Sequence, residues 1–340
     1  MAQGYFFGNI VLDVPTRIAD TLRTQGANAM SDSILCQSYF HNEEAAYAFV
    51  ESRVWANGPV CPKCGAVERI GKMGGASTRI GVYKCYECRK PFTVKIGTIF
   101  EASHIPLRLW LQAILLIASS KKGISSNQLH RTLGITLKSA WFMSHRIREA
   151  MRVEGSIFGT SGGAVEVDET YIGRDKTVKP DGVKKGRGFH HKNKILSLVD
   201  RTTGQARSIV VDDVKAATLI PILQANIDRE ARVMTDEAGQ YQSVIAYFAD
   251  HGFTRHGSGE YVSREDRTVH TNTIEGFFSI FKRGMKGVYQ HCGHNHLNRY
   301  MAEFDFRYNN RKALGVDDAA RADILLRGVV GKRLTYETTH

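Results

Sequence analysis

Four cysteines in this 340-residue chain stand as two pairs, Cys61-Pro-Lys-Cys64 and Cys85-Tyr-Glu-Cys88, with 20 residues between Cys64 and Cys85. Each pair can wrap a tight turn around one ion, and two such turns supply a tetrahedral thiolate shell. Gly65 follows the first pair and Arg89-Lys90 the second, completing a zinc-ribbon pattern. Four thiolates leave no open position for water, so the spacing predicts structural Zn²⁺ rather than a catalytic metal. A redox CxxC or two disulfides are the alternatives. Cys36 and Cys292 have no partner at metal spacing and read as ordinary thiols.

A second set of residues is acidic. Asp168 lies in VEVDETYIG and Asp236 in VMTDEAGQY, each after an apolar run and each followed by Glu. An acid at the end of a core strand is held rigidly while its carboxylate faces a cleft, as a metal ligand requires. A third group lies in HTNTIEGFFSIFKRG. Asn272 and Glu275 are three apart and share a helix face, and Lys282 follows Glu275 by seven, two turns along. Such a helix could hold Mg²⁺ or Mn²⁺ by its oxygen donors and meet a phosphate with its lysine. In the plainer reading Thr271 or Thr273 caps the helix, Glu275 is a first-turn acid, and Lys282-Arg283 is a solvated face.

The elements that must carry these residues can be read from periodicity. His41 to Trp55 has apolar residues at helical spacing. Residues 57–97 are too few for a core of their own and need a staple. Leu107, Trp110, Leu111, Ile114, Leu115 and Ala118 line one helix face. After them come two short helices around a turn at Leu133-Gly134-Ile135, with Thr136 as N-cap of the second. This is a helix-turn-helix pattern, or an ordinary helical hairpin. From residue 164 the order is three strands, a helix at 216–227, a strand at 231–238 and a helix over Gln240 to His251. Helices over Ile274 to Phe281 and Leu297 to Tyr308 follow. The class is α+β and α/β, multidomain.

Composition bounds the partners. The net charge is +12, with 46 basic and 34 acidic side chains. A polyanion is the implied partner, nucleic acid first. Residues 61–153 hold 16 basic and four acidic side chains, a distribution that suits phosphate contact. Residues 174–194 hold eight basic and two acidic, with glycines between them. The candidates for DNA contact are Lys184, Lys185, Arg187, Lys192 and Lys194 in that loop, Arg283 and Lys286 after the third acid, and Arg146 and Arg148 in the second short helix. Histidines 270, 291, 294 and 296 read as loop groups near DNA, with a His-metal site as the alternative. The most apolar run, Leu109 to Ala118, is about half the ~20 residues that a membrane helix needs. The first residues do not read as a secretory signal, so a cytoplasmic, nucleoid-associated protein is expected. Met30 is an alternative start to Met1.

Taken together, CPKCG…CYECRKPFTVKIGTIFE, VEVDETYIG, the glycine-rich basic loop, VMTDEAGQY and HTNTIEGFFSIFKRG resemble the DDE transposases of bacterial insertion sequences. The similarity is greatest to the IS-fifteen-ninety-five family with its ISXO-two-like catalytic domain, and it spans about residues 40–312. The resemblance implies an RNase H-like catalytic domain with a mixed five-stranded sheet and flanking helices. It puts the first two acids on Asp168 and Asp236 and the third on Glu275 or Asn272, followed by Lys282. It also implies Mg²⁺ or Mn²⁺ as catalytic cofactor, double-stranded DNA as partner, and a homodimer or higher oligomer on DNA. The expected division is 1–40 extension, 41–100 helix and zinc ribbon, 101–154 helix-turn-helix region, 163–312 catalytic domain, and 313–340 tail. A DNA-binding regulator without activity and a purely hydrolytic nuclease are the competing functions.

Overall fold

The computed structural model describes residues 33–153, 155–174 and 191–335. The alternative start at Met30 and the loop cations Lys184, Lys185 and Arg187 lie outside them. Ahead of residue 37, Ile34–Cys36 form one short 3-10 turn.

From residue 37 onward a short 3-10 turn, Ser38–Phe40, leads into α1 (Glu43–Val54), whose N-cap Asn42 accepts a hydrogen bond from the Ala45 amide. Trp55, at its end, packs edge-on against Tyr83 and Phe92 of a three-stranded antiparallel sheet. That sheet comprises β1 (Ile70–Lys72), β2 (Tyr83–Cys85) and β3 (Pro91–Phe92). Next comes α2 (Leu107–Ser119), which has Pro106 at its N-cap position and no cap from its own sequence. Glu43 supplies one: its carboxylate accepts from the Leu107 and Arg108 amides at 2.7 and 3.1 Å. An acid at a helix N-terminus satisfies orphan amides and complements the dipole.

The helical pair is α3 (Ser126–Leu133) and α4 (Leu137–Ala150), capped by Ser125 and Thr136. Gly134 joins them in the left-handed region (φ 64°), a conformation glycine adopts without strain.

The large sheet is mixed, with five strands in the order β6-β5-β4-β7-β8. The strands are β4 (Ala164–Ile172), β5 (Asn193–Asp200), β6 (Ala206–Val211), β7 (Arg232–Asp236) and β8 (Asp250–Thr254). The first three form an antiparallel meander, while β7 and β8 run parallel to β4. One face is covered by α5 (Ala216–Asn226), which buries Leu219 and Leu223 against Val165, Val167, Leu196, Leu198 and Val233. The other is covered by α6 (Asn272–Gly284) and α7 (His294–Asn309), whose Ile274, Phe277, Phe281 and Met301 pack on Ile195 and Val199. The edge of β6 is closed by α7 side chains. Asp305 accepts from the Ser208 amide and Asn309 from the Ala206 amide, at 2.8 and 2.6 Å. Unpaired strand edges invite aggregation, and these two residues remove part of one.

Three features depart from expectation. Gln240 to His251 is not a helix: two 3-10 turns, Gly239–Tyr241 and Val244–Ala246, lead into β8. Tyr241, Val244 and Phe248 recur at helical spacing, but successive tight turns bury them equally well against the α5 face. Asp318–Arg327, inside the segment read as a tail, forms α8 and packs on α2, burying Leu325 and Leu326.

The third departure concerns Arg146 and Arg148. Both were expected at the DNA surface, and both are interior, with 5% and 0% exposure. Arg146 donates to the carbonyls of Ile99, Glu101 and Leu334. Arg148 donates through Nε to Glu303 of α7 at 2.6 Å and stacks over Tyr300. Their positive groups are consumed inside the protein, which removes them from the set of DNA contacts.

Glu303 is fully buried and also accepts from Arg307 and from the Tyr289 hydroxyl. Burial pushes its carboxyl up, but Arg307 and Arg148 outweigh that and hold it below the usual range. The same α4–α7 contact buries His145 beside Trp141, His296 and Tyr300, and burial drives its pKa down to about 2. Removing one partner of a buried ion network strands the others. Glu303→Ala is therefore expected to destabilise the protein by about 3–5 kcal/mol, read as a lower midpoint in urea unfolding.

Candidate functional site

The thiolate site is set by backbone geometry. After each CxxC pair the chain turns through a left-handed residue, Gly65 (φ 75°) in the first and Arg89 (φ 60°) in the second. These turns bring four sulfurs within 4.8 Å of one another, with Cys61–Cys88 and Cys64–Cys85 both 3.7 Å apart. A disulfide needs about 2.05 Å. The edge of a tetrahedron around zinc with ~2.3 Å Zn–S bonds is close to the observed spacing. The four cysteines therefore fit one structural zinc ion. Cys61 and Cys85 sit in a small apolar cluster with Phe92, flanked by Trp55 and Tyr83, so a bound ion would be tied to the core of the ribbon.

The acidic site starts from the alternation of β4. Val165 and Val167 enter the α5 face, so Glu166, Asp168 and Thr170 look toward α6. In the parallel neighbour, Met234 of β7 stands opposite Glu166. Two residues further along each strand come Asp168 and Asp236, on the same face at the same end of the sheet. Glu166 is 0% exposed and accepts from the Ile274 amide at 2.8 Å and from Arg201 Nε at 2.6 Å. Ile274 is in the first turn of α6, so a side chain of β4 supplies the cap that Thr271 does not. Arg201 in turn bonds the backbone and ring of His270 at 2.6 and 2.7 Å, fixing the entry to α6. This network sets the start of α6, with Asn272 and Glu275, against the strand that carries Asp168.

Burial and crowded negative charge both act on the titration of Asp168. Burial first, and then the neighbouring Glu169, Asp236 and Glu275 carboxylates, push its pKa up to about 8. Glu169 points to the opposite face beside Gln240, and burial raises its pKa too. The Glu275 carboxylate is 3.8 Å from His256 Nε2, which also lies 3.1 Å from the Thr254 hydroxyl. The turn carrying His256 is held by Glu237, whose carboxylate accepts from the His256 and Gly257 amides at 2.7 Å each. A set of oxygen donors with excess negative charge suits a hard divalent cation such as Mg²⁺ or Mn²⁺, whose charge would relieve the crowding. Among the described residues, only the four cysteines have three or more metal-ligating atoms all within 4.8 Å, so the acids are more widely set than the thiolates.

Beside the acids, Lys192, Lys282 and Lys286 line a cleft of about 450 Å³ with Glu169, Tyr171 and Asn193. Lys282 and Lys286 are exposed, as is Arg283, while Lys194 is half-buried on β5. The structure thus brings Asp168, Asp236 and Glu275 to one end of the sheet, with Asn272 on the first turn of the same helix. The histidines divide: His270 serves Arg201, His294 bonds Asn193 at 2.8 Å, and His296 packs on Trp141.

Sequence reading missed Glu166, Arg201, Glu237 and His256. A signal existed for the first, an acid inside an otherwise buried run two residues before Asp168. The others are set by contacts distant in sequence.

Two family models match the chain. Residues 160–309 match an ISXO2-like transposase domain and residues 41–91 a transposase zinc-ribbon domain, together more than half of the sequence. A protein in transposable element ISH50 of Halobacterium salinarum is 29% identical over 283 residues, which is 79% of this chain and 91% of that protein.

Two outcomes follow from the geometry. Asp168 has a folded pKa of about 8 against an ordinary value of 3.8, so its stabilising contribution is complete below about pH 4 and is lost as pH rises toward 8. Without divalent cation, Asp168→Asn should be increasingly more stable than the parent between pH 5 and pH 8.5, as followed by thermal melting. Stripping zinc, or Cys85→Ser, should release the ion and change Trp55 fluorescence, because Trp55 rests on Tyr83 and Phe92.

Proposed function

Because the chain belongs to the insertion-sequence transposases that join an ISXO2-like transposase domain to a zinc ribbon, we propose that it cuts the ends of a mobile DNA element and joins them to target DNA. The observation that carries this reading is the convergence of Asp168, Asp236 and Glu275 at one end of a mixed sheet, next to a lysine-lined cleft. We read that sheet as an RNase H-like domain of the DDE type.

Asp168, Asp236 and Glu275, with the Asn272 carbonyl as an additional donor, would hold two divalent ions. When bound, Mg²⁺ or Mn²⁺ supplies the positive charge that phosphodiester displacement needs on the attacking and leaving oxygens. The rest is positioning. Glu166 sets α6 against β4. Lys282, Lys286 and Lys192, with Arg283, Lys194 and the loop cations Lys184, Lys185 and Arg187, bind backbone phosphates and hold the scissile one at the acids. Water attacks phosphorus, the bond to the 3′ oxygen breaks, and that oxygen leaves as a 3′-OH. The freed 3′-OH then attacks a target phosphodiester, whose own 3′ oxygen leaves. No protein nucleophile is required.

DNA recognition falls to the zinc ribbon and to α3–α4, read as a helix-turn-helix. With Arg146 and Arg148 internal, the exposed start of α4, at Thr136, Leu137 and Lys138, together with Arg131 of α3, is the surface for base edges. Recognition helices read DNA mainly through their N-terminal residues. Two ends must meet in one event, so the working form on DNA is a dimer or larger. Among the described residues no helix is long and apolar enough to cross a membrane, and a nucleoid-associated cytoplasmic protein fits the reaction.

Of the two candidates for third acid, Glu275 is favoured: its carboxylate adds to the charge around Asp168 and it lies beside His256. On an end-repeat duplex with Mg²⁺, Asp168→Ala, Asp236→Ala and Glu275→Ala should each lower cleavage by about a thousandfold, the order seen when transition-state charge stabilisation is lost. Asn272→Ala should retain most cleavage. Cut ends that never join to target DNA would mean a hydrolytic nuclease. Retention of DNA in a gel without cleavage by the parent chain would mean a regulator.

A further inference from the structure

The acids at the end of the sheet are not held alike. Asp168 accepts from the Glu169 amide at 2.7 Å and Asp236 from the Ala238 amide at 3.0 Å, so a neighbouring backbone N–H fixes one oxygen of each. Glu275 projects from α6 on a longer side chain that is 41% exposed. Among the described residues no hydrogen bond holds its carboxylate, and the nearest basic side-chain nitrogen is His256 Nε2, 3.8 Å from one oxygen. A long side chain left free must lose rotamer entropy when an ion orders it.

His256, by contrast, is held on several sides. Its own amide and that of Gly257 donate to the Glu237 carboxylate at 2.7 Å each. The Thr254 and Thr271 hydroxyls lie 3.1 and 3.4 Å from Nε2, and both residues are buried. Tyr261 lies against the ring, with centroids 5.3 Å apart. Glu237 directly follows Asp236, so the brace for His256 and the second acid come from the same strand end. The ring is thus fixed with Nε2 turned to Glu275. The gap of 3.8 Å is too long for a hydrogen bond, yet a small side-chain adjustment closes it. Active-site hydrogen bonds are often long in the unliganded state and tighten when the ligand arrives.

We propose that His256 is a positioning residue for Glu275. Its Nε2–H donates to one carboxylate oxygen when a divalent ion draws in the other, and Glu237 sets the turn that presents the ring. The neutral ring suffices, because the tautomer with its proton on Nε2 is already a donor. Carboxylates that ligate metals are themselves hydrogen-bonded as a rule, and those outer partners set metal affinity. The inference rests on reading Glu275 as the third acid, and it supplies the contact that this acid otherwise lacks.

The test is calorimetric titration of Mn²⁺ alone into the full-length, zinc-loaded protein, with circular dichroism to confirm that each variant folds. His256→Ala should weaken Mn²⁺ binding about 10–100-fold, as loss of an outer-shell partner does. His256→Gln keeps a side-chain donor and should recover most of that loss. A double-mutant cycle separates positioning from a general structural effect. If His256 acts through Glu275, His256→Ala should cost little further affinity in a Glu275→Gln background. An equal loss in both backgrounds would overturn the inference, as would unchanged affinity in folded His256→Ala. So would a nitrogen hyperfine coupling to Mn²⁺ in pulsed electron paramagnetic resonance that disappears in His256→Ala, because the ring would then be a ligand. A parent that binds no Mn²⁺, or binds it equally well as Glu275→Gln, would instead remove the reading of Glu275 as a cation ligand, and the inference with it.

Discussion

A single buried carboxylate organises the acidic site. Glu166 takes the amide of Ile274 at one oxygen and Arg201 at the other, and so ties the first turn of α6 to the strand that carries Asp168. A charge with no solvent exposure survives only if its bonds are complete. That requirement makes the contact rigid: the carboxylate cannot move without stranding either the helix amide or the guanidinium. Asp168 and Glu275 come from segments more than a hundred residues apart, and their relative placement depends on this junction. Burial at this junction, and after it the crowding of carboxylates, raise the Asp168 pKa.

A second buried carboxylate acts at larger scale. Glu303 gathers Arg148 from α4, Arg307 from α7 and the Tyr289 hydroxyl from the π-helical turn Met285–Tyr289 that continues α6. The helix proposed to read DNA and the helix that carries Glu275 therefore share one ionic centre. In the proposed function, this connection would hold DNA bound at α3–α4 in a set relation to the acids. The C-terminal segment adds to it. α8 lies on α2, Lys332 donates to the carbonyl of Ala150 at the end of α4, and the Gly331 amide reaches back to the Gly97 carbonyl after the ribbon.

Local chemistry was legible in the sequence wherever it is determined locally. The thiolate shell follows from two CxxC turns, the α3–α4 turn from Gly134 and Thr136, and strands β4 to β7 from alternating or continuous apolar runs, whereas the short ribbon strands β1 to β3 were not read. Long-range complementarity was not. Arg148 looked like a surface cation because its partner, Glu303, is 155 residues away. Arg146 binds three carbonyls from two other segments, which no spacing rule reveals. β8 was missed because Asp250–Thr254 is short, contains glycine, and becomes a strand only by pairing with β7. The acids themselves were recognisable by type and setting, whereas the residues that hold them, Glu166, Arg201 and Glu237, act through contacts formed only on folding.

The central claim is that these acids, set by Glu166, form a divalent-cation site that works on DNA. It is tested most directly by electron paramagnetic resonance of Mn²⁺ titrated into the zinc-loaded protein bound to an end-repeat duplex. The account predicts tightly bound Mn²⁺, about two ions per chain as a two-metal site requires, lost when Asp168 is replaced by Asn and weakened when Glu166 is replaced by Gln. Mn²⁺ binding no stronger than to DNA alone, or binding unchanged by Asp168→Asn, would contradict it.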